Sequence, residues 1–311
     1  LHRLRQYHQG RPHRARRNEG GKLMATATNR MLGHLGDSVE RLEDPPLVTG
    51  KGRFVGDINF PDQLHMRIVR SDHAHGKIIS VDTSAAEAVP GVVAVWTTEN
   101  IDDVPPIDFR EGSDPTLALF RQYPLARELV RYVGDPVVAV FAEDPYTAED
   151  AAELVVIEIE PLPVLINADP PQDFKGQATT EAAIVEQGYG DIDTTFANAF
   201  KVVEIDVKVS RHTGVPMECR GAIGRYDEAR DVLEMYGAAK VPHRNRDTLC
   251  RMLNRPASGL HLFEGHTGGG FGIRGELYPE DVLVCVAAMR LRRPVKWIED
   301  RREHLMAANH S

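Results

Sequence analysis

The stretch EGHTGGGFGIRGELYPEDVLVCVAAMRLRRPVKWIEDR, residues 264–301, carries most of the information in this chain. Five glycines fall among the eight residues 268–275, GGGFGIRG, with one large aromatic, Phe271, inside. A strand is expected before them, around Gly259–Glu264. A helix is expected after them at about 279–291, followed by a strand at 294–300. Gly270, Gly272 and Gly275 satisfy G-x-G-x-x-G, and Glu299 and Asp300 follow about 24 residues on. Taken literally this is a dinucleotide fingerprint: amides approach a pyrophosphate at a helix N-terminus and an acid holds a ribose hydroxyl. Two features oppose that reading. His266, Thr267, Gly268 and Gly269 stand between the strand and the first glycine of the pattern, and only 11 residues follow Asp300, too few for further strand–helix pairs. A second alternative is a ligand-free packing turn. The glycine content exceeds what a turn needs, and a loop of this kind brings several amides close to an anionic or oxo-bearing ligand.

Working outward, the chain has 311 residues, net charge −9 and 42% hydrophobic residues. That composition suits a globular chain of about two domains and excludes collagen, coiled coil and low-complexity disorder. No apolar run reaches the roughly 18 residues of a membrane span. Residues 1–23 carry seven bases and one acid, so the remainder is strongly acidic, which argues against nucleic acid as the main partner. The basic head lacks the apolar core of a secretory signal. The chain begins at Leu1, and Met24 resembles a natural start; residues 1–41 are read as a non-globular or non-native segment. Three scattered cysteines, Cys219, Cys250 and Cys285, with no C-x-x-C, fit a reducing, cytoplasmic setting and give no zinc signature. His73 and His75 read as solvated turn residues rather than ligands.

Before the loop, Leu47–Val69 reads as a turn, a short strand, a Pro-Asp turn and a longer strand. A half-buried strand is expected at 78–83, a short helix at 84–88, and a β-branched strand after Pro90-Gly91. Residues 101–128, with four prolines, read as a long loop. A strand at 137–143, a helix at 147–154 capped by Asp144 or Thr147, and a strand VVIEIEPLP complete a mixed α/β block. A Pro- and Gly-rich linker, 166–189, precedes a second block, 190–311. Its core element is expected to be the alternating strand KVVEIDVKVSRH, 201–212, with further elements at Val232–Tyr236 and Arg244–Leu253.

With these motifs in order, the chain resembles the molybdopterin-binding large subunit of the xanthine dehydrogenase, aldehyde oxidase and carbon monoxide dehydrogenase family, over about Leu42 to Asn309. The resemblance rests on GGGFG with RPVKWIEDRREHL, on RLEDPPLVTGKGRFVGDINFPDQLHMRIVRSDHAHGKI, on GDPVVAVFAEDPYTAEDAAELVVIEIEPLPVL, and on HTGVPMECRGAIGRYD and YGAAKVPHRNRDTLCRML. It implies an α/β (α+β) fold: an α/β hammerhead domain at 42–165, then the first part of a molybdenum cofactor-binding domain at 190–311.

The resemblance further implies a molybdenum–molybdopterin cofactor, the cytosine dinucleotide form among its variants, held by its dithiolene and by no protein side chain. Gly268, Gly269, Gly270, Phe271 and Gly272 would present backbone amides, with Phe271 beside the metal. Arg274 would contact pterin or phosphate, or else cap nearby carbonyls. Lys240 stands where the family usually has a glutamine that bonds an oxo ligand. It either donates as a point charge or points to solvent. Cys219 stands where proline is usual, beside the retained Glu218 and Arg220, and reads as an inert thiol.

Hydroxylation of an aldehyde or N-heterocycle, or oxidation of CO, would take oxygen from water. Electrons would pass to an iron–sulfur small subunit and an FAD-binding medium subunit of a hetero-oligomer, with no membrane or nucleic-acid partner. The family's glutamate base lies beyond Ser311, so no catalytic residue is assigned and the chain is expected to be inactive alone, as a truncated or split subunit with an exposed apolar surface. A non-catalytic docking module and a nicotinamide-binding oxidoreductase are the competing readings.

Overall fold

The computed structural model describes residues 36, 38–108, 115–166, 188–209, 212–237 and 241–309. The basic head, most of the linker, and Ala239 and Lys240 lie outside the described residues. Two units are separated, Leu1–Lys51 and Gly52–Ser311. The described part of the first holds a short helix, α1 (Asp44–Val48), opening on Pro45 and Pro46, where a missing N–H costs nothing.

The second unit contains, in order, β1 (Leu64–Arg70), β2 (Gly76–Asp82), α2 (Ser84–Glu87), β3 (Val92–Trp96), β4 (Leu129–Val130), β5 (Pro136–Ala142), α3 (Pro145–Ala152) and β6 (Val156–Pro161). It continues with α4 (Ile192–Ala197), β7 (Gly221–Asp227), β8 (Val232–Tyr236), α5 (Pro242–Met252), β9 (Leu260–Phe263), α6 (Pro279–Leu291), β10 (Val295–Ile298) and α7 (Arg301–Ala307). Seven strands form one sheet in the order β3-β5-β1-β10-β7-β8-β9, and β4-β2-β6 form a second.

The period-2 alternation of β5 explains how both sheets are joined. Ala139 and Phe141 enter a core with Leu64, Met66, Trp96 and Trp297. Val138 and Val140 enter a second core, with Ile78, Val81, Ile157 and Ile159 of the small sheet packed on it. Asp144 caps α3, accepting from the amides of Tyr146 and Thr147 at 3.0 Å each. In α6, every residue from Pro279 to Ala288 is buried, as expected of a helix apolar nearly all round. It lies across β7, where Gly224 lets the helix backbone approach.

Two expectations are corrected. Residues 201–209 join no strand among the described residues, and Val203, Ile205, Val207 and Val209 are all exposed. Alternation marks a propensity, but a strand needs a neighbour to receive its hydrogen bonds. The central strand of the second block is instead β7, whose glycines and tyrosine weakened its signal. The two expected blocks share one sheet: β1 pairs in parallel with β10, His65 opposite Lys296. Periodicity reports the buried face of a strand, not its partner. Finally, the expected short strand after Leu47 is helix α1 followed by a 3-10 turn, Val55–Asp57.

The dinucleotide reading fails on topology. β9 and β10, which should flank the helix as neighbouring parallel strands, are separated by β7 and β8.

Candidate cofactor-binding loop

The glycine loop leaves β9 and reaches α6 through three left-handed residues, Gly269 (φ 105°), Phe271 (φ 47°) and Gly272 (φ 90°). For phenylalanine this conformation is strained, and 71% of Phe271 is exposed. The loop therefore holds an aromatic in a costly backbone shape without burying it. Ile273 donates to the Gly270 carbonyl at 3.0 Å and Gly275 to that of Gly272 at 3.0 Å, closing a 3-10 turn.

The segment 214–219 lies directly against the loop. A β-carbon on Gly214 would stand 2.7 Å from the Phe271 β-carbon, and one on Gly268 would stand 2.5 Å from that of Glu218. The Gly268 amide donates to Glu218 Oε2 at 2.7 Å. Arg274, nearly buried, donates through Nη2 to the same oxygen at 2.9 Å, and to the carbonyls of Glu218 and Cys219 at 2.9 and 2.8 Å. These bonds to the Glu218 and Cys219 carbonyls are the capping expected as one of two roles for Arg274. Among the described residues its Nε is buried without a hydrogen-bond partner, and Arg274 lines two small cavities, one with His266 and the other with Tyr278 and Asp281.

Beyond Gly269, which packs against Pro216, the loop opens, with Phe271 and Gly272 exposed. Among the described residues none of the amides of Gly269, Gly270, Phe271 and Gly272 donates a hydrogen bond. A β-carbon on Gly270 or Gly272 would meet nothing within 4 Å. Amides without a partner on a loop with open space beside Gly270 and Gly272 suit an oxo-bearing or anionic group. The structure thus divides the expected site: Gly269–Gly272 stay available, Gly268 and Arg274 are committed internally, and Lys240 lies outside the described residues. Cys219 is a free thiol that burial pushes up.

Beneath the loop runs an ion network that composition and motifs did not reveal. Arg220 binds Glu299 through its amide (3.0 Å), Nε (2.9 Å) and Nη2 (2.5 Å), and Glu280 through Nη1 (3.3 Å). Its guanidinium lies 3.8 Å over the Tyr278 ring. Burial alone would lower Arg220; the charges of Glu280 and Glu299 outweigh it and raise it. Arg70 of β1 joins Glu280 at 2.6 Å and Glu303 at 3.0 Å. His304, fully buried, meets Glu299 Oε2 at 2.8 Å and the Gly214 carbonyl at 3.2 Å. Glu299 and Asp300 are accordingly not ribose ligands: the first is buried in this network, and the second caps α7 by accepting from the Glu303 amide at 2.8 Å. The only sequence hint was the spacing of Glu218 and Arg220 around Cys219.

A molybdopterin cofactor-binding domain model matches residues 174–311, and an aldehyde oxidase and xanthine dehydrogenase a/b hammerhead domain model matches 49–163. The gamma subunit of the 6-hydroxypseudooxynicotine dehydrogenase complex of Paenarthrobacter nicotinovorans is 42% identical over 94% of this chain and 38% of its own length. The nicotine 6-hydroxylase large subunit of the same organism is 37% identical over 89% of this chain and 35% of its own length. Reconstituted CO dehydrogenase from Oligotropha carboxidovorans superposes with TM-score 0.76 at 33% identity, over 89% of this chain and 36% of that one. The chain thus spans little more than a third of the length of these relatives. A hammerhead domain followed by a molybdopterin cofactor-binding domain, matched in both sequence and fold, makes this chain a member of the xanthine dehydrogenase and aldehyde oxidase family, corresponding to part of its molybdopterin-binding large subunit.

Proposed function

We propose that the chain forms one wall of the active site in the large subunit of a molybdenum hydroxylase acting on an N-heteroaromatic ring. Aldehyde and CO oxidation are the competing substrate classes. The carrying observation is the run of amides at Gly269–Gly272 that donate no hydrogen bond among the described residues, built around a strained and exposed Phe271. Two relatives, at 42% and 37% identity, are named for 6-hydroxypseudooxynicotine and for nicotine, which favours the heteroaromatic class.

When bound, the molybdenum cofactor supplies two-electron oxidation and insertion of an oxygen atom derived from water. This chain's contribution is positional and electrostatic. The Gly270, Phe271 and Gly272 amides would hold the oxygen-bearing face of the cofactor, and fixed N–H dipoles there favour negative charge without reorganising. Lys240, if it reaches the same face, would add a positive charge where the family usually has a neutral amide. Iron–sulfur and FAD-binding subunits would accept the electrons, in a cytoplasmic hetero-oligomer. The proton-accepting glutamate would come from sequence outside residues 1–311, so these residues alone would not turn over.

The test is purification of the complete complex, metal analysis, and turnover against a panel of pyridines, quinolines, aldehydes and CO. About one molybdenum per large subunit with heteroaromatic turnover supports the reading. Molybdenum far below one equivalent in active complex refutes it. A docking module without a catalytic role would instead co-purify with partner subunits but release no pterin on denaturation.

A further inference from the structure

Among the described residues the Gly269–Gly272 amides donate no hydrogen bond; the 3-10 turn from Gly270 to Gly275 shapes the loop from within, and a single side chain ties its two ends together. Both ends meet on a single atom. Glu218 Oε2 accepts from the Gly268 amide at 2.7 Å, at the loop's entry, and from Arg274 Nη2 at 2.9 Å, at its exit. The Glu218 amide returns a bond to the Gly268 carbonyl at 3.3 Å, and Arg274 also grips the carbonyls of Glu218 and Cys219. Between these anchors lie the three left-handed residues 269, 271 and 272. Arg274 is only 7% exposed, so water competes weakly for its bonds, and charge-assisted bonds of this kind are the stronger ones.

We propose that Glu218 is a positioning residue of the cofactor site. Through Gly268 and Arg274 it clasps both ends of the glycine loop and so aims the Gly269–Gly272 amides. It touches neither substrate nor cofactor, and Arg274 serves the same clasp instead of contacting the cofactor. The inference rests on the proposed reading of the loop for its catalytic consequence, but the clasp itself is a property of this chain.

The experiment compares Glu218→Ala, Glu218→Gln and Arg274→Met in the complete complex, by hydrogen exchange of the 264–275 segment, molybdenum content and steady-state kinetics. In E218A, exchange in 264–275 is expected to rise at least tenfold while β5 and α6 keep their protection. Its kcat is expected to fall about 100-fold, the order expected when a reacting geometry shifts by about 1 Å, with KM changed less than about threefold. E218Q keeps an acceptor at the same place and is expected to remain within about fivefold of wild type, since only the charge assistance is lost. R274M, which retains Glu218 and serves if E218A does not fold, is expected to free the exit side of the loop and raise its exchange. Unchanged loop exchange overturns the proposal, as does a loss of protection spread evenly over the chain, or an E218Q as impaired as E218A. A wild-type complex without molybdenum would refute the proposed function and leave the exchange result standing.

Discussion

Replacing Gly224 with alanine tests how closely α6 is seated on the sheet that carries the glycine loop. Gly224 lies in β7 opposite Val295 of β10. An added β-carbon would stand 2.2 Å from the Val284 carbonyl oxygen, 2.6 Å from its carbon and 3.1 Å from the Cys285 nitrogen. Ordinary carbon–oxygen contacts sit near 3.3 Å, so the helix backbone would have to retreat by about 1 Å. Residues Val282–Ala288 are all buried against that surface, and backbone cannot rotate aside as a flexible side chain could. Overpacking of a core costs about 1–3 kcal/mol, and the upper end applies here. For a unit of this size that is a fall in Tm of about 6–12 °C. The control is Gly270→Ala, whose β-carbon meets nothing within 4 Å and whose effect should stay within about 0.5 kcal/mol. Thermal and denaturant unfolding of both variants provide the assay. A G224A variant within about 0.5 kcal/mol of wild type would refute the argument that this glycine is held by close approach.

Three further outcomes are expected. Arg220→Met leaves the buried Glu280 and Glu299 short of their shared cation and should cost about 3–5 kcal/mol in denaturant unfolding; a loss below about 1 kcal/mol would show that solvent or a neighbour compensates. Burial pushes the Asp281 carboxyl up to about 7, above its unfolded range, so its contribution is present below about pH 4 and is lost as pH rises through 7. Asp281→Asn, which keeps an oxygen for the Tyr278 amide, should flatten the decline in stability between pH 4 and 7, and an unaltered slope would count against it; Asp135, raised to about 6, retains a smaller slope of the same sign. Phe271→Gly relieves a left-handed residue while uncovering little, so stability should rise by about 1 kcal/mol as turnover of the complete complex falls; loss of both would place Phe271 in the core after all.

What the sequence by itself determined is local. The N-cap at Asp144, the span of α6, the strand β8 and the glycine run all announce themselves through neighbouring residues, because caps, periodicity and turn chemistry act over a few positions. Motif order likewise disclosed the family, since GGGFG and RPVKWIEDRREHL keep their spacing whatever the partners. The tertiary structure alone decided which strands pair and which charges meet. Residues 201–209 alternate convincingly and join no described strand, whereas Gly221–Asp227, a weak strand by composition, sits near the middle of the large sheet. Its place depends on β8, β10 and α6 being there to receive it. The same holds at the site. Glu218 and Gly268 are 50 residues apart and Arg220 and Glu299 are 79 apart, and no short-range pattern encodes such meetings. Hydrogen-bond direction and the exclusion of water are properties of the packed chain, and they bring Gly268 and Arg274 onto one oxygen of Glu218.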